Sequence, residues 1–145
     1  MNQNANYIKD LRIRGFTDAA IILISKGFER GLSEDQVRMY ANPTFNFRQM
    51  QQIFNSCCNK LPADQIMIFA DPKYDAGQMT IIRHAFLDGL TSDQVRTFAD
   101  PSISANDMRD MRMKLEEQNA HKHEVQPERT SVRVKPPVQR TGKSR

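Results

Sequence analysis

The segment LSEDQVRMYANP, residues 32–43, says most about the fold because close copies of it occur twice more. It returns as LPADQIMIFADP at residues 61–72 and as LTSDQVRTFADP at residues 90–101, a step of 29 residues each time. A fixed period of this length is typical of proteins in which each repeat is one supersecondary unit. The register divides the chain into repeats 32–60, 61–89 and 90–118.

The quoted segment carries the signals of a short helix. Ser33 and Gln36 have the spacing of a capping box, in which each side chain accepts a hydrogen bond from the other residue's backbone N–H. Thr91 and Gln94 repeat the box, whereas Pro62 suits a helix start but cannot form it. The Asn-Pro or Asp-Pro step ends the helix after about eight residues, because the residue before a proline is driven out of the α region.

A longer helix follows in each repeat. Asn46 with Gln49, and Asp75 with Gln78, again have capping-box spacing. The apolar side chains that follow recur at the spacing of one buried face over about 13 residues. Glycines that can end these longer helices stand at Gly31 and Gly89.

The ends of the chain depart from the repeat. Residues 1–31 keep its apolar positions but lack the Asp-Gln pair and the Ala-Asp-Pro, as expected of a degenerate N-terminal capping repeat. Residues 119–145 carry no helix signal and are predicted to be a disordered basic tail. Because one repeat buries too little apolar surface to fold alone, we predict an all-α fold of two-helix repeats stacked as a small solenoid. A compact bundle is the structural alternative.

Composition and cysteine usage indicate a reduced, cytoplasmic protein. The longest apolar run, residues 19–24, is too short to cross a bilayer, and the first residues lack the basic-then-apolar order of a signal peptide. The adjacent Cys57 and Cys58 do not form a disulfide framework. We expect the protein to stay off membranes.

No residue pattern points to catalysis, a cofactor or a metal. Cys57 shares a core position with Phe86 and Leu115, which predicts a buried small hydrophobe rather than a nucleophile. His84 is expected at the edge of a packed helix face. His121 and His123 are too few for a zinc site. We therefore expect a protein that is not an enzyme.

The acidic column Asp35, Asp64 and Asp93 is only partly explained by its place in a first helical turn, where it meets the positive end of the helix dipole. The dipole does not explain why glutamate never appears there. We hypothesise that these carboxylates share a hydrogen bond with the next repeat.

The motif L-[ST/P]-x-D-Q-[VI]-x-x-[YF]-A-[DN]-P, followed by Q-M-x-x-I, resembles a helical repeat found in proteins of anaerobic gut bacteria. That repeat is often carried on phages and conjugative elements, sometimes beside larger enzymatic domains. The resemblance covers residues 32–118, about three-fifths of the chain. It implies an accessory or interaction role in a mobile element, and it carries over no catalytic residue.

The leading functional hypothesis is a protein-interaction module, because arrays of helical repeats present rows of variable positions on a constant core. Its partner would be a host or element protein, and inhibition of a host defence complex is one form of this hypothesis. The candidate surface consists of Arg38, Met39, Phe54, Met67, Ile68, Arg83, Arg96 and Arg112.

The alternative is a nucleic-acid-binding accessory, because the chain's charge is unevenly divided. Residues 119–145 have a balance of +5, and residues 1–118 have a balance of −1. Lysine and arginine contact phosphates without regard to sequence. The candidate anion-binding residues are Lys122, Arg129, Arg133, Lys135, Arg140, Lys143 and Arg145.

Overall fold

A computed structural model describes residues 3–125, and this part of the chain is all-helical, without a strand. The prediction of an all-α fold is confirmed. The eight helices of this part are α1 (Gln3–Ile13), α2 (Asp18–Glu29), α3 (Glu34–Tyr40), α4 (Phe47–Cys58), α5 (Ala63–Phe69), α6 (Ala76–Leu87), α7 (Ser92–Arg96) and α8 (Ala105–Val125).

The predicted beginning of the tail is wrong by several residues. Helix α8 continues past residue 118 to Val125, so residues 119–125 are helical. The remaining predicted tail, 126–145, lies outside the described residues. Two compact units are distinguished, Met1–Arg112 and Met113–Arg145, with their boundary inside α8. The described part of the second unit is the C-terminal part of α8, on which Met113 is exposed.

The predicted capping boxes are confirmed. Both reciprocal hydrogen bonds are present at the N-termini of α3, α4, α6 and α7, whereas α5 begins at Pro62 with no side-chain cap. The four boxes are formed by Ser33 with Gln36, Asn46 with Gln49, Asp75 with Gln78, and Thr91 with Gln94. Local sequence therefore fixes where these helices begin.

The proline loops after the three short helices share one conformation. The Phe45 N–H donates to the Asn42 carbonyl at 3.0 Å, and the Thr44 N–H donates to the Asn42 side chain at 2.9 Å. Asp71 and Asp100 accept the same pair of bonds in their own loops. A proline in the second position of such a turn already has the required φ. The loops 41–46, 70–75 and 99–104 thus present their carbonyl groups in the same way.

The core of the first unit lies between a row of long helices and the short helices that follow them. Helix α4 packs against both α2 and α6, α3 packs against α2 and α4, and α5 packs against α4 and α6. The aromatic rings at one repeated position, Tyr40, Phe69 and Phe98, are fully buried. Burial of such rings supplies much of the stabilisation of a small core.

Candidate interaction surface

Gln49 joins its own helix to the loop of the next helix pair. Its Oε1 accepts from the Asn46 N–H at 2.8 Å, which is the capping bond. Its Nε2 donates to the carbonyl oxygens of Pro72 at 3.1 Å and Tyr74 at 2.6 Å. The buried carboxamide thereby uses its oxygen within one helix and its two N–H groups across a junction.

Gln78 makes the same three bonds one step later. Its Oε1 accepts from the Asp75 N–H at 2.8 Å, and its Nε2 donates to Pro101 at 3.0 Å and Ile103 at 2.7 Å. We call the contact of α2 with residues 41–46 the first junction. The contact of α4 with residues 70–75 is the second junction, and the contact of α6 with residues 99–104 is the third.

The hypothesis that Asp35, Asp64 and Asp93 bond to the next repeat is wrong. All three residues are exposed, and the Asp93 carboxylate lies 3.7 Å from Arg96 of its own helix. Their position in the first helical turn favours a negative charge. The bonds between helix pairs are made instead by Gln49 and Gln78.

A second set of contacts recurs at the C-terminal ends of the long helices, although its chemistry changes at each step. Arg30 stacks over the ring of Phe54, with its Cζ 5.6 Å from the centroid. Arg83 donates to the Asn59 side chain at 3.0 Å. These contacts link positions 24 residues apart in the chain. The same step in the chain thus serves a cation–π contact in one place and a hydrogen bond from a charged guanidinium to a neutral amide in the next.

The third contact of this set is an ion pair between Arg112 and Asp88 at 3.1 Å. Phe54 does not lie on the exposed surface that was predicted to include it. Its ring is only 5% exposed, because it lies under Arg30 and against the edge of Tyr40. Arg83 is likewise partly buried, and this burial lowers the pKa of its guanidinium. Phe54, Arg83 and Arg112 hold neighbouring helices together.

The other predicted residues lie on the short helices and do reach the surface. The side chains of Arg38 and Arg96 are 59% and 60% exposed, and Met67 at the equivalent position of α5 is 63% exposed. Met39 and Ile68 are partly exposed. We call these five residues the short-helix face. Met67 is the large apolar side chain at its middle position.

The first junction contains a cavity that the sequence did not predict. Its volume is about 310 Å³, and its lining includes Thr17, Ala20, Pro43 and Phe45. A broader groove of about 470 Å³ between α4 and α6 is lined by both apolar and polar side chains, such as Phe47 and Gln51. The sequence signal for this cavity was the position that Gln49 and Gln78 occupy, because Ala20 stands at that position one period of 29 residues earlier.

A metal site or a reactive thiol would place specific requirements on the titratable groups in the described part of the chain. No group of three or more His, Cys, Asp or Glu side chains within that part could hold a metal ion. Burial, with Cys58 beside it, raises the pKa of the Cys57 thiol to about 11, which keeps it protonated and unreactive. Cys57 is buried, as predicted, and Cys58 is the more exposed of the two.

The histidines give no support to a metal site either. His84 is exposed on α6, and desolvation together with the nearby Arg83 and Arg112 lowers the pKa of its imidazole. His121 and His123 lie on helix α8 and not in an irregular tail.

The predicted anion-binding residues are mostly beyond the described part of the chain. Lys122 lies on α8, and Arg129, Arg133, Lys135, Arg140, Lys143 and Arg145 fall outside the described residues. Within residues 3–125, no helix combines the length and the apolar character needed to cross a bilayer.

Comparison with known proteins adds no relative to this description. No protein family, no curated protein and no solved structure matches the chain.

Proposed function

We propose that the chain is a helical-repeat module that binds another protein through the short-helix face. In this proposal the 29-residue helix pairs stack as a small solenoid. The recurrence of the Gln49 bonds at Gln78, one period later, supports the stacking. A stack of this kind sets equivalent positions of successive units side by side, which is how repeat proteins build extended binding surfaces.

The exposure of Met67 carries the proposal. Met67 is an unbranched apolar side chain that is 63% exposed, so a partner that covers it lowers the free energy of the complex. Among the described residues, Arg38 and Arg96, at the equivalent positions of the flanking helices, pair only with exposed carboxylates of their own helices. Such surface pairs contribute little to stability and exchange easily for others. The fitting partner presents an apolar side chain flanked by acidic ones.

The test compares Met67→Lys with a matched control. Ile22→Lys changes an apolar residue of equal exposure, 63%, that lies on α2 and outside the short-helix face. Each protein is used to capture binding partners from host lysate with and without nuclease treatment. We expect wild type and Ile22→Lys to retain the same defined protein and Met67→Lys to lose it. Equal retention by all three contradicts the proposal.

The nucleic-acid alternative is an outcome of the same experiment. It is favoured by the charge balance of +5 in residues 119–145. A truncation to residues 1–125 keeps α8 whole, whereas a cut after residue 118 would divide it. If retention requires residues 126–145 and disappears with nuclease, the tail is the binding element and the short-helix face is not.

A further inference from the structure

The first junction has the same backbone as the other two but lacks their carboxamide. Ala20 stands where the second and third junctions have Gln49 and Gln78. The carbonyl oxygens that those glutamines bind correspond here to Pro43 and Phe45, in a loop with the same turn bonds. Among the described residues, no donor bonds to the carbonyl of Pro43 or Phe45.

The N-terminus of α2, on the other side of the first junction, also lacks a hydrogen-bond partner within the described part of the chain. The Thr17 hydroxyl accepts from the Ala20 N–H at 3.2 Å, which is half of a capping box. The other half needs an acceptor for the Thr17 N–H. Alanine cannot supply one, and no acceptor within residues 3–125 bonds to that N–H. The junction thus presents one donor and two acceptors.

The residues that carry these three backbone groups line a cavity large enough for a carboxamide. The cavity measures about 310 Å³, and Thr17, Ala20, Pro43 and Phe45 line it. Its apolar walls, Phe16, Phe45 and Met50 among them, are buried. Pro43 and Thr17 are exposed at its rim, so a ligand can enter without unfolding the helix pair.

The arrangement selects a primary carboxamide over related groups. A carboxamide has one acceptor oxygen and two N–H donors, which are the partners that the junction needs. A carboxylate has no N–H and would meet two carbonyl oxygens. An ammonium group leaves the Thr17 N–H without an acceptor and loses its hydration. Gln49 and Gln78 show that a glutamine side chain satisfies all three positions.

We propose that the first junction binds the side-chain carboxamide of a glutamine supplied by a partner polypeptide. Its aliphatic stem would lie against Phe16 and Met50, which are buried walls of the cavity. The cavity is larger than a carboxamide, which leaves room for part of the flanking peptide. This site lies apart from the short-helix face and goes beyond the function proposed for it.

The experiment uses capped amino acids as probes. N-acetyl-glutamine-N-methylamide and the glutamate analogue are titrated into the full chain to about 50 mM, because ligands of this size bind in the millimolar range. Backbone amide shifts are followed by NMR. We expect saturable shifts at Thr17, Ala20 and Phe45 with the glutamine probe and at least tenfold weaker binding of the glutamate probe.

Two variants place the site. Ala20→Gln supplies the missing carboxamide from within the chain, so it is expected to abolish the saturable shifts and to raise the unfolding midpoint. Gln49→Ala opens an equivalent cavity at the second junction, so it is expected to bind a second molecule of the glutamine probe near Asn46 and Tyr74. The second variant keeps the test decisive if Ala20→Gln does not fold.

Three results overturn the proposal. The first is an absence of saturable shifts with the glutamine probe, and the second is equal binding of the glutamine and glutamate probes. The third is retention of the shifts by a folded Ala20→Gln variant or, failing that variant, no second site in Gln49→Ala. None of these results depends on Met67, so the function proposed for the short-helix face stands or fails separately.

Discussion

The Nε2 of Gln49 lies 2.6 Å from the carbonyl oxygen of Tyr74, so one side chain both begins a helix and binds the loop of the next helix pair. Gln78 repeats this relationship with Ile103 at 2.7 Å. Capping is a local interaction, whereas a bond across 25 residues is tertiary. The same residue type at the same position therefore couples the start of a helix to the packing of its neighbour.

Gly27 and Tyr40 form a size-matched pair. The Tyr40 hydroxyl donates to the Leu23 carbonyl at 3.0 Å, and a Cβ at Gly27 would overlap that hydroxyl. We expect Gly27→Ala to lower the free energy of unfolding by about 2 kcal/mol through overpacking.

Combining Gly27→Ala with Tyr40→Phe removes the overlapping oxygen. The double variant is expected to lose about 1 kcal/mol less than the sum of the single losses, since residues in contact are coupled. Urea denaturation of the four proteins completes the cycle. Strict additivity would show that the hydroxyl does not limit the space at Gly27.

Lys60 occupies a backbone conformation that favours glycine. Its φ is 64°, and the equivalent residues, Gly31 and Gly89, have φ values of 85° and 96°. Because the left-handed region costs a non-glycine residue roughly 1–2 kcal/mol, Lys60→Gly is expected to raise the free energy of unfolding by about 1 kcal/mol.

The control is Gly89→Lys, which should lower the free energy of unfolding by a similar amount. A Cβ at Gly89 would meet no atom within 4 Å, so this change tests backbone conformation alone. If Lys60→Gly is neutral in urea denaturation while Gly89→Lys is destabilising, Lys60 makes a compensating contact that the backbone argument omits.

His84 gives the fold a pH dependence of known sign. Desolvation, Arg83 and Arg112 lower the pKa of its imidazole below 6.5, and Asp88 opposes them. The unfolded chain then binds the proton more tightly, so stability falls as the pH drops below about 6.5 and levels off below the folded pKa.

The His84→Gln variant isolates this contribution. Between about pH 8 and pH 5 its free energy of unfolding should decrease less than that of the wild type. The difference is small because the imidazole is exposed. A steeper decrease in the variant would mean that protonated His84 stabilises the fold, with Asp88 outweighing the two arginines, and would contradict the expected sign.

Sequence predicted where the helices begin and where the short ones end, because the signals for these boundaries are local. Ser33 with Gln36 and the proline loops act within a few residues, and the structure shows them where the spacing put them. The burial of Phe54 could not be predicted from such local signals. Its cover is Arg30, 24 residues earlier, and that contact exists only after the helices pack.

The bonds of Gln49 to the next proline loop could not be predicted from its sequence position, because helix capping already explained the residue. Capping fully explains why its Oε1 is needed, while the partners of its Nε2 lie 23 and 25 residues away. The available signal was the pair of exceptions to the glutamine column, since Ala20 replaces glutamine in the N-terminal capping repeat and Asp107 replaces it in the last repeat. The last repeat has no following proline loop among the described residues, and the capping repeat borders the cavity.

The role of the buried glutamines in joining successive helix pairs is tested by the free energies of unfolding of Gln49→Ala, Gln78→Ala and Gln36→Ala. Gln36 forms a capping box on α3 but donates to no loop carbonyl in the described residues. We predict a loss of about 1 kcal/mol for Gln36→Ala. Gln49→Ala and Gln78→Ala should each lose about 2–4 kcal/mol, because they also leave two carbonyl groups unsatisfied. Equal losses in all three variants would mean that Gln49 and Gln78 act only as helix caps and do not join the helix pairs.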